Sequence, residues 1–348
     1  MKVEGEVGLC APIVFGSIPF DAALPGRLIL PKFGLLDHGD GRIVQFSCTS
    51  GKGFEPVPWR GTASRELPDM PPVEAASVKG DYRWWMSCAE TILELIESGK
   101  LQKLVLAREV ELTTAAPWTA GILFLKLATR YPDSYSYCIR LSGSEWFVGS
   151  IPELLVSRFG SRACSRPLAG TVPINGDGAG FQVSIEHLLS SQKLRREHSV
   201  TVDAIFRRMA RLAREVTSSG PSALALETVA HLVSSIDCQL AGDPPNVLDL
   251  VSYLHPTPAV GGIPAELAGA VIKRLEVSPR REYAGPVGWM DRNGDGEWTL
   301  GLRSAHIKGT KVAVRAGAGF VAGSDAGEEW EEVEAKLKAI PAVVAPEE

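Results

Sequence analysis

The segment Thr299-Leu-Gly-Leu-Arg-Ser-Ala-His-Ile307 is followed by Lys311-Val-Ala-Val-Arg-Ala316 and then by Glu328-Glu-Trp-Glu-Glu-Val-Glu-Ala-Lys336. The first two runs alternate between larger apolar residues and small or polar ones, which predicts two strands joined as a hairpin. In the third run, apolar residues recur at spacings of three and four, which predicts an amphipathic helix. A hairpin that leads into a helix is typical of α+β folds.

The same mixture of elements occurs upstream. Strands are predicted for residues 101–112, 134–141, 145–149 and 153–159, and helices for residues 78–98, 118–129 and 184–217. A Pro/Gly-rich stretch over residues 51–72 is predicted to be a loop. The run Ala316-Gly-Ala-Gly319 fails the dinucleotide-binding fingerprint, which disfavours a series of parallel units. The sequence therefore predicts an α+β fold with one large core, as a single domain over residues 1–348.

The composition is that of a globular protein, with 348 residues of which 45% are hydrophobic and 22% are charged. The net charge of −5 and the dispersed basic residues give no reason to expect a nucleic-acid or anionic-membrane partner. The apolar runs are shorter than the ~20 residues of a membrane span, and residues 1–6 lack a secretory pattern, so a cytoplasmic protein is expected. Six cysteines are scattered without a Cys-x-x-Cys pair, which favours reduced structural thiols.

The predicted C-terminal helix carries charges at regular spacing. Glu329, Glu332 and Lys336 are three and four residues apart, so two carboxylates and an ammonium share one face. Just upstream, the backbone of Ala316-Gly-Ala-Gly319 can approach a ligand closely. Together these features suggest that a hard cation and an anionic substrate are held side by side. The alternative is a solvated helix with an ordinary Glu–Lys pair.

Lys103 begins the run Lys103-Leu-Val-Leu-Ala-Arg108, a predicted strand that is apolar on both faces. A lysine at this place is either at a strand end, with its ammonium reaching water, or desolvated. Desolvation favours the neutral amine, which can act as a general base near pH 7. Both interpretations stay open from the segment alone.

Two further carboxyls are candidates for chemistry. Glu153 precedes a buried strand, where burial would raise its pKa and make it a proton donor, and an ordinary loop carboxylate is the alternative. Glu197 lies about 140° from the apolar stripe of the predicted long helix, so its default interpretation is a solvated face. Its functional interpretation is a third carboxylate that faces the C-terminal helix, where glutamates bind Mg²⁺ through oxygen.

Arg303 alternates with small residues on one face of its predicted strand. This leaves room for a carboxylate to dock on the guanidinium, and an arginine on the exposed face of the hairpin is the alternative. The nearby run Asp291-Arg-Asn-Gly-Asp-Gly296 imitates the start of an EF-hand loop, but Leu302 takes the place of the twelfth-position glutamate. Its Asn-Gly and Asp-Gly pairs predict a hairpin turn instead.

Several runs resemble, in order and spacing, the chorismate-utilising enzymes, which include isochorismate, salicylate, anthranilate and aminodeoxychorismate synthases. The similarity covers roughly residues 80–340, and Phe15-Gly-Ser-Ile-Pro-Phe-Asp21 resembles a segment typical of isochorismate synthases. The resemblance implies stacked, mostly antiparallel β-sheets flanked by helices, and a requirement for Mg²⁺. The matching runs include Lys103-Leu-Val-Leu-Ala-Arg108, Gly149-Ser-Ile-Pro-Glu153, Pro167-Leu-Ala-Gly-Thr171, Leu188-Leu-Ser-Ser-Gln-Lys-Leu-Arg-Arg-Glu-His198, Leu254-His-Pro-Thr-Pro-Ala-Val-Gly-Gly262 and Tyr283-Ala-Gly-Pro-Val-Gly-Trp289.

The resemblance also implies roles by position. Lys103 matches a general base that activates water, and Glu153 matches a general acid that protonates the departing hydroxyl. Glu197 and Glu332 match Mg²⁺ ligands, with Glu329 as a neighbour through water. The positions that match the substrate pocket are Ala169, Gly170, Thr171, His231, Arg303, Gly317, Gly319 and Lys336.

Three positions favour isochorismate synthase, an isomerase, within this family. Anthranilate synthases resemble one another in having glutamine at the Lys103 position, so lysine disfavours ammonia chemistry and a glutaminase subunit. Ala169 stands where the best-known aminodeoxychorismate synthases have a nucleophilic lysine, and salicylate synthases usually lack the run His255-Pro-Thr257. We therefore expect a Mg²⁺-dependent isochorismate synthase in siderophore or menaquinone biosynthesis, with salicylate synthase as the alternative.

Two positions depart from the family pattern. Leu194 replaces the acidic residue that the family usually places one turn before Glu197, which removes a carboxylate near the proposed metal. Ile151 replaces the serine common before Pro-Glu, which affects the placement of Glu153. These departures prompt a further alternative, a weakly active chorismate-binding homologue. The expected partner is chorismate alone, and the sequence is compatible with a monomer.

Overall fold

The structure, a computed structural model, describes residues 12–37, 43–47, 67–174, 178–226 and 229–344. In chain order its strands are β1 (Val14–Ser17), β2 (Arg27–Ile29), β3 (Phe33–Asp37), β4 (Ile43–Ser47), β5 (Val73–Lys79), β6 (Lys103–Thr114), β7 (Tyr135–Ser142), β8 (Glu145–Ile151), β9 (Leu154–Phe159), β10 (Arg162–Arg166), β11 (Leu168–Pro173), β12 (Ala213–Ala225), β13 (Val229–Leu240), β14 (Gly262–Ile263), β15 (Pro286–Met290), β16 (Gly296–Leu300), β17 (Ser304–Lys308) and β18 (Lys311–Val321).

The helices between these strands begin at polar side chains in several places. Asp81 accepts a hydrogen bond from the Trp84 N–H at the start of the first helix, and Ser191 accepts one from the Leu194 N–H at the start of the fourth. The helices are α1 (Tyr82–Glu97), α2 (Ala120–Arg130), α3 (Ala179–Ser190), α4 (Gln192–Ala210), α5 (Val247–Leu254), α6 (Ala265–Leu275), α7 (Ala326–Leu337) and α8 (Ala339–Val344).

The strands form two large sheets. The nine-stranded sheet has the order β11-β13-β10-β9-β16-β15-β1-β2, with β12 also paired to β13. The seven-stranded sheet has the order β14-β6-β18-β17-β8-β7, with β5 also paired to β6, and β3 pairs with β4 separately. The described strand pairs are antiparallel. The prediction of an α+β fold of mostly antiparallel sheets with flanking helices is confirmed.

Two apolar clusters hold these layers together, because burial of apolar surface is the main force that favours folding. One cluster packs α1, α2, α6 and α7 on the seven-stranded sheet, around residues such as Trp85 and Phe320. The other packs α4 and α5 on the nine-stranded sheet, around Trp298. Ala107 of β6 belongs to this second cluster, so the two sheets meet there.

The predicted helix over residues 184–217 is wrong in both its continuity and its end. The chain breaks at Ser191, which has extended backbone angles and caps α4, so two helices replace one. The apolar spacing of three and four continues to Val216, but this residue lies in β12, where it pairs with Cys238 of β13. Pairing with a long neighbouring strand has overridden the helical pattern.

Two other predicted boundaries are also wrong. Residues 73–79 form β5, and α1 begins only after Gly80, whose φ of +89° ends the strand. The predicted strand over residues 299–307 is two strands in different sheets, β16 and β17. The chain crosses between the sheets through Arg303, whose φ of +45° is unusual for a residue with a side chain. The hairpin of β17 and β18 is confirmed.

The remaining predicted strands and the helix over residues 118–129 are confirmed within a few residues. The turn after Asp291 joins β15 and β16 as predicted, and Asp291 accepts hydrogen bonds from the Asn293 and Asp295 N–H groups. Residues 1–6, 51–66, Cys10 and Cys48 lie outside the described residues, so a single domain over residues 1–348 stays a prediction. None of the described helices has the length and apolar character that crossing a bilayer demands.

Candidate active site

A cavity of about 90 Å³ lies where β6 and β18 of one sheet face β11 and β13 of the other. Glu153 and Glu197 line it, whereas Lys103, Glu329 and Glu332 do not belong to its lining. The lining also contains every residue that the family resemblance assigns to the substrate pocket: Ala169, Gly170, Thr171, His231, Arg303, Gly317, Gly319 and Lys336.

Lys103 is the first residue of β6 and is fully buried. The interpretation in which its ammonium reaches water is therefore wrong. Its Nζ lies 3.0 Å from Glu197 Oε1 and donates a hydrogen bond of 3.1 Å to Thr201 Oγ1. Glu197 and Thr201 are one turn apart on α4, and the threonine hydroxyl also bonds to the Glu197 carbonyl. The Lys103 amine therefore contacts α4 and lies behind Glu197, which lines the cavity.

Glu153 lies in the short connection between β8 and β9 and is only 4% exposed. The interpretation of Glu153 as an ordinary loop carboxylate in contact with water is therefore wrong. Burial raises the pKa of its carboxyl to about 8, although a hydrogen bond from the Leu168 backbone and the charges of Lys103 and Lys336 act in the opposite direction. The Thr299 hydroxyl donates to the Glu153 carbonyl and fixes the connection. At neutral pH the carboxyl is mostly protonated, as a proton donor requires.

Arg303 reaches the cavity from the crossing between the sheets, and its side chain is not on the exposed face of a hairpin. Its Nη2 lies 3.0 Å from His231 Nε2, and His231 Nδ1 lies 3.0 Å from Thr171 Oγ1. Burial lowers the pKa of Arg303 to about 10, which still leaves it charged at neutral pH. The three side chains form one hydrogen-bonded row along a wall of the cavity.

Glycines allow β18 to pass close to the charged side chains. A Cβ on Gly319 would collide with Glu197 Oε1 and would lie 3.0 Å from Lys103 Cε. Lys336 of α7 donates a hydrogen bond of 3.1 Å to the Gly317 carbonyl, which ties the helix to the strand. Position 319 therefore requires glycine, because the buried Lys103–Glu197 pair leaves no space there for a side chain.

Two glutamates of α7 are buried behind the cavity. Glu329 and Glu332 are 1% and 7% exposed, so the interpretation of this helix face as solvated is wrong. The Glu–Lys pair of that interpretation is nevertheless present, because Lys336 Nζ lies 2.6 Å from Glu332 Oε1. Lys193 of α4 lies 2.6 Å from Glu329 Oε1. Burial and the neighbouring charge of Glu332 raise the pKa of Glu329 to about 7, and burial also raises the pKa of Glu332.

The solvated interpretation of Glu197 is wrong as well, because this carboxylate is only 7% exposed. Its charge contributes to the raised pKa of both α7 glutamates. Within the described ranges, no three carboxylate, imidazole or thiol side chains are assembled closely enough to hold a metal ion. The residue types nevertheless suit Mg²⁺. Glu197 lies near enough to Glu329 and Glu332 for its charge to raise the pKa of both, and carboxylate oxygens are ligands that Mg²⁺ prefers.

Two contacts of this charged region are absent from the sequence-based prediction. Lys193 lies in the first turn of α4, where the helix dipole disfavours a cation. A lysine at such a position indicates a nearby anionic partner, and this could have been inferred from the sequence. Burial alone would lower the pKa of Lys193, but the neighbouring carboxylates, led by Glu329, raise it. Thr201, one turn after Glu197, gives no such signal, because the same spacing occurs in many helices.

The two departures from the family pattern occupy different surroundings. Leu194 is 4% exposed and packs in an apolar cluster with Val172 and Leu232. Its carbonyl also approaches Gly170, whose φ of +77° brings β11 close to α4. Ile151 ends β8 and contributes an apolar wall to the cavity beside Glu153.

The chain is similar to known proteins in both its sequence and its fold. The sequence model of the family described as chorismate binding enzyme matches residues 60–345. Isochorismate synthase DhbC of Bacillus subtilis is 33% identical and covers 97% of this chain and 82% of its own, and isochorismate synthase EntC of Escherichia coli is 31% identical, with 95% and 80% covered. The structure of MenF, the menaquinone-specific isochorismate synthase of Escherichia coli, has a TM-score of 0.83 at 27% identity and covers 96% of this chain and 79% of its own.

Proposed function

This chain belongs to the chorismate-binding enzyme family, and from that membership we propose that it is a magnesium-dependent isochorismate synthase. The similarity to proteins named isochorismate synthases supports this assignment. Lys103 supports it too, since a lysine suits water as the nucleophile and needs no glutaminase partner to supply ammonia. The product would enter siderophore or menaquinone biosynthesis.

The observation that carries the proposal is a buried carboxyl that lines the small cavity, together with a buried amine directly behind Glu197 of the same cavity wall. Burial raises the pKa of Glu153 to about 8, so it can donate a proton at neutral pH. Lys103 is fully buried at the start of β6, and its Nζ lies 3.0 Å from Glu197, which lines the same cavity as Glu153. Glu153 is therefore the proposed acid for a ring bound in the cavity, and Lys103 is the proposed base once its contact with Glu197 is released.

The reaction balances without another reactant. A water molecule gives a proton to Lys103 while its oxygen bonds to ring carbon C2, both ring double bonds shift along the ring, and the C4–oxygen bond breaks. Glu153 gives its proton to the departing hydroxyl, which leaves as water, so substrate and product are isomers. Because the amine contacts Glu197 at 3.0 Å, this carboxylate must be engaged elsewhere when Lys103 accepts the proton.

The carboxylates of chorismate have cationic and hydroxyl partners in the cavity. Arg303 and Lys336 line it and carry positive charge, and the Thr171 hydroxyl lies on the same wall. A guanidinium matches a carboxylate with paired donors, which fixes the orientation of a planar anion. These residues bind and orient the substrate, while Lys103 and Glu153 move protons.

Glu197, Glu329 and Glu332 are the residues that would hold Mg²⁺. When bound there, Mg²⁺ supplies a Lewis acid that neutralises the ring carboxylate and stabilises developing charge. Each of these glutamates pairs with a different lysine, so a cation must compete with an ammonium for each carboxylate: Glu197 with Lys103, Glu329 with Lys193 and Glu332 with Lys336.

Product analysis tests the assignment. The protein is incubated with chorismate and Mg²⁺, and the products are separated by liquid chromatography and identified by proton NMR. We expect isochorismate with no pyruvate. Salicylate and pyruvate as main products would refute the assignment in favour of salicylate synthase, and binding of chorismate without turnover at saturating Mg²⁺ would favour a chorismate-binding homologue.

Replacement of Lys193 by methionine is expected to tighten Mg²⁺ binding, because it removes a competing cation 2.6 Å from Glu329. Glu332→Gln should weaken binding, because it removes a charged ligand. Each change should alter the dissociation constant by at least about tenfold, since unit charges interact strongly at these distances even at the effective dielectric of a protein. Isothermal titration of the ligand-free protein with MgCl₂ measures both.

The matched control is Glu331→Gln, on an exposed position of the same helix, which should bind Mg²⁺ as the wild type does. Equal affinities in all four proteins would contradict the proposed ligands. Weaker binding in Lys193→Met would instead mean that this lysine supports the site structurally and does not compete with the metal.

A further inference from the structure

Arg303, His231 and Thr171 form a row whose hydrogen bonds can run in one direction only. A guanidinium has donors and no acceptor, so its Nη2 must donate to His231 Nε2, 3.0 Å away. The Nε2 atom therefore carries a lone pair, and the imidazole of His231 is neutral with its proton on Nδ1. That proton is directed at Thr171 Oγ1, also 3.0 Å away.

The surroundings of His231 favour this neutral form. The side chain is buried, and burial, followed by the charges of Arg303 and Lys336, lowers its pKa well below the usual value. Arg303 is itself held in a left-handed backbone conformation, with φ at +45°, which costs energy for a residue other than glycine. Such a conformation persists only where the surroundings require it, here at the wall of the cavity.

The direction of the row determines what Thr171 can offer to a ligand. Its hydroxyl oxygen accepts the proton of His231 Nδ1, so its own proton must point elsewhere. Within the described part of the chain, no other hydrogen-bond partner of the Thr171 hydroxyl is found, and the residue is 6% exposed and lines the cavity. The hydroxyl proton is therefore directed into the cavity.

We propose that His231 is a positioning residue, locked as the Nδ1–H tautomer, which makes Thr171 an obligatory hydrogen-bond donor to an oxygen of the bound ligand. Together with Arg303, this wall then offers donors only, and it selects a carboxylate oxygen over a hydroxyl that must itself donate. The inference rests on the proposed function only for the identity of the ligand, a small dicarboxylate, because the tautomer follows from the ligand-free protein.

The tautomer is tested first, on the full chain without ligand. Nitrogen-15 labelling of histidine and long-range proton–nitrogen correlation spectra distinguish protonated from unprotonated ring nitrogens, and the His231→Phe variant identifies the signal by its loss. We expect Nδ1 protonated and Nε2 unprotonated at pH 7. A protonated Nε2 at pH 7 would overturn the proposal.

His198 provides an internal comparison. Its Nδ1 lies 3.1 Å from the Ala169 carbonyl, which can only accept, so it should also carry its proton on Nδ1. In the Arg303→Met variant, the His231 signal should change because its Nε2 loses the donor, whereas the His198 signal should not. An unchanged His231 signal would mean that Arg303 does not fix the tautomer, and it would also overturn the proposal.

The effect on the ligand is tested by steady-state kinetics with chorismate. Thr171→Val removes the donor and Thr171→Ser keeps it, so kcat/KM of the valine variant should be at least about tenfold below that of the serine variant. In a His231→Phe background the hydroxyl is no longer oriented, and the difference between valine and serine should shrink.

Equal values for valine and serine, or a difference that His231→Phe leaves unchanged, would overturn the role of His231. These outcomes are separate from a failure of the proposed function. If the wild-type protein produces no isochorismate, the assignment of the enzyme fails, while the spectra of the ligand-free protein still decide the tautomer.

Discussion

Lys103→Met is expected to lower kcat by about 10²–10⁴-fold, the usual contribution of a general base. Methionine has nearly the length of lysine and suits a fully buried position on β6, but it cannot accept a proton. Since the amine is also the partner of Glu197 at 3.0 Å, its loss leaves a buried carboxylate without an ion pair. The measurement is the rate of isochorismate formation at saturating chorismate and Mg²⁺.

Loss of activity must be separated from loss of structure, because breaking a buried ion pair typically costs about 3–5 kcal/mol of stability. The double variant Lys103→Met with Glu197→Gln removes both charges and should recover part of the unfolding temperature without recovering activity. Lys311→Met, in an exposed pair with Glu111 at the far end of the same sheet, is the matched control and should remain active. A folded Lys103→Met protein with kcat within tenfold of the wild type would contradict the role of base.

Glu153→Gln is expected to lower kcat by a similar factor, about 10²–10⁴-fold, because glutamine keeps the shape of the protonated carboxyl but does not give up a proton. The wild-type pH profile should report the same group. The protonated form is the active one and its pKa is about 8, so activity should fall as the pH rises above 8. In Glu153→Gln the residual activity should lack this decline.

Glu145→Gln, at the other end of β8, is the matched control for the loss of a glutamate. The Glu145 carboxylate pairs with Arg281 and lies outside the cavity lining. It should retain the wild-type pH profile. A Glu153→Gln variant that keeps the alkaline decline would assign that titration to another group. Wild-type kcat in the same variant would remove Glu153 from the mechanism.

Much of the strand content could be predicted, because alternation of apolar and polar residues depends only on the neighbours in the chain. The strand that Lys103 begins and the hairpin of β17 and β18 follow this rule. The end of α4 could not be predicted in this way. The helical spacing up to Val216 is real, but pairing with β13 decides the conformation, and that partner lies some twenty residues away.

The same limit applies to the site. The residue types and the family resemblance identify side chains that converge on the cavity, but burial of Glu197 depends on how α4 packs against β18. The predicted strand position of Arg303 is wrong because the chain crosses between two sheets there, with a φ of +45° that no alternation pattern indicates. The pairing of Lys193 with Glu329 joins two helices far apart in sequence, so only the tertiary structure reveals it.

In the proposed reaction, Lys103 and Glu153 direct a water molecule to one ring carbon while the hydroxyl at another departs. Reaction of chorismate in water enriched with oxygen-18, followed by mass spectrometry and carbon-13 NMR of the product, shows where the oxygen of that water molecule goes. We expect isochorismate with one oxygen-18 atom, bonded to C2. Isochorismate without label, or salicylate with pyruvate as the main products, would contradict it.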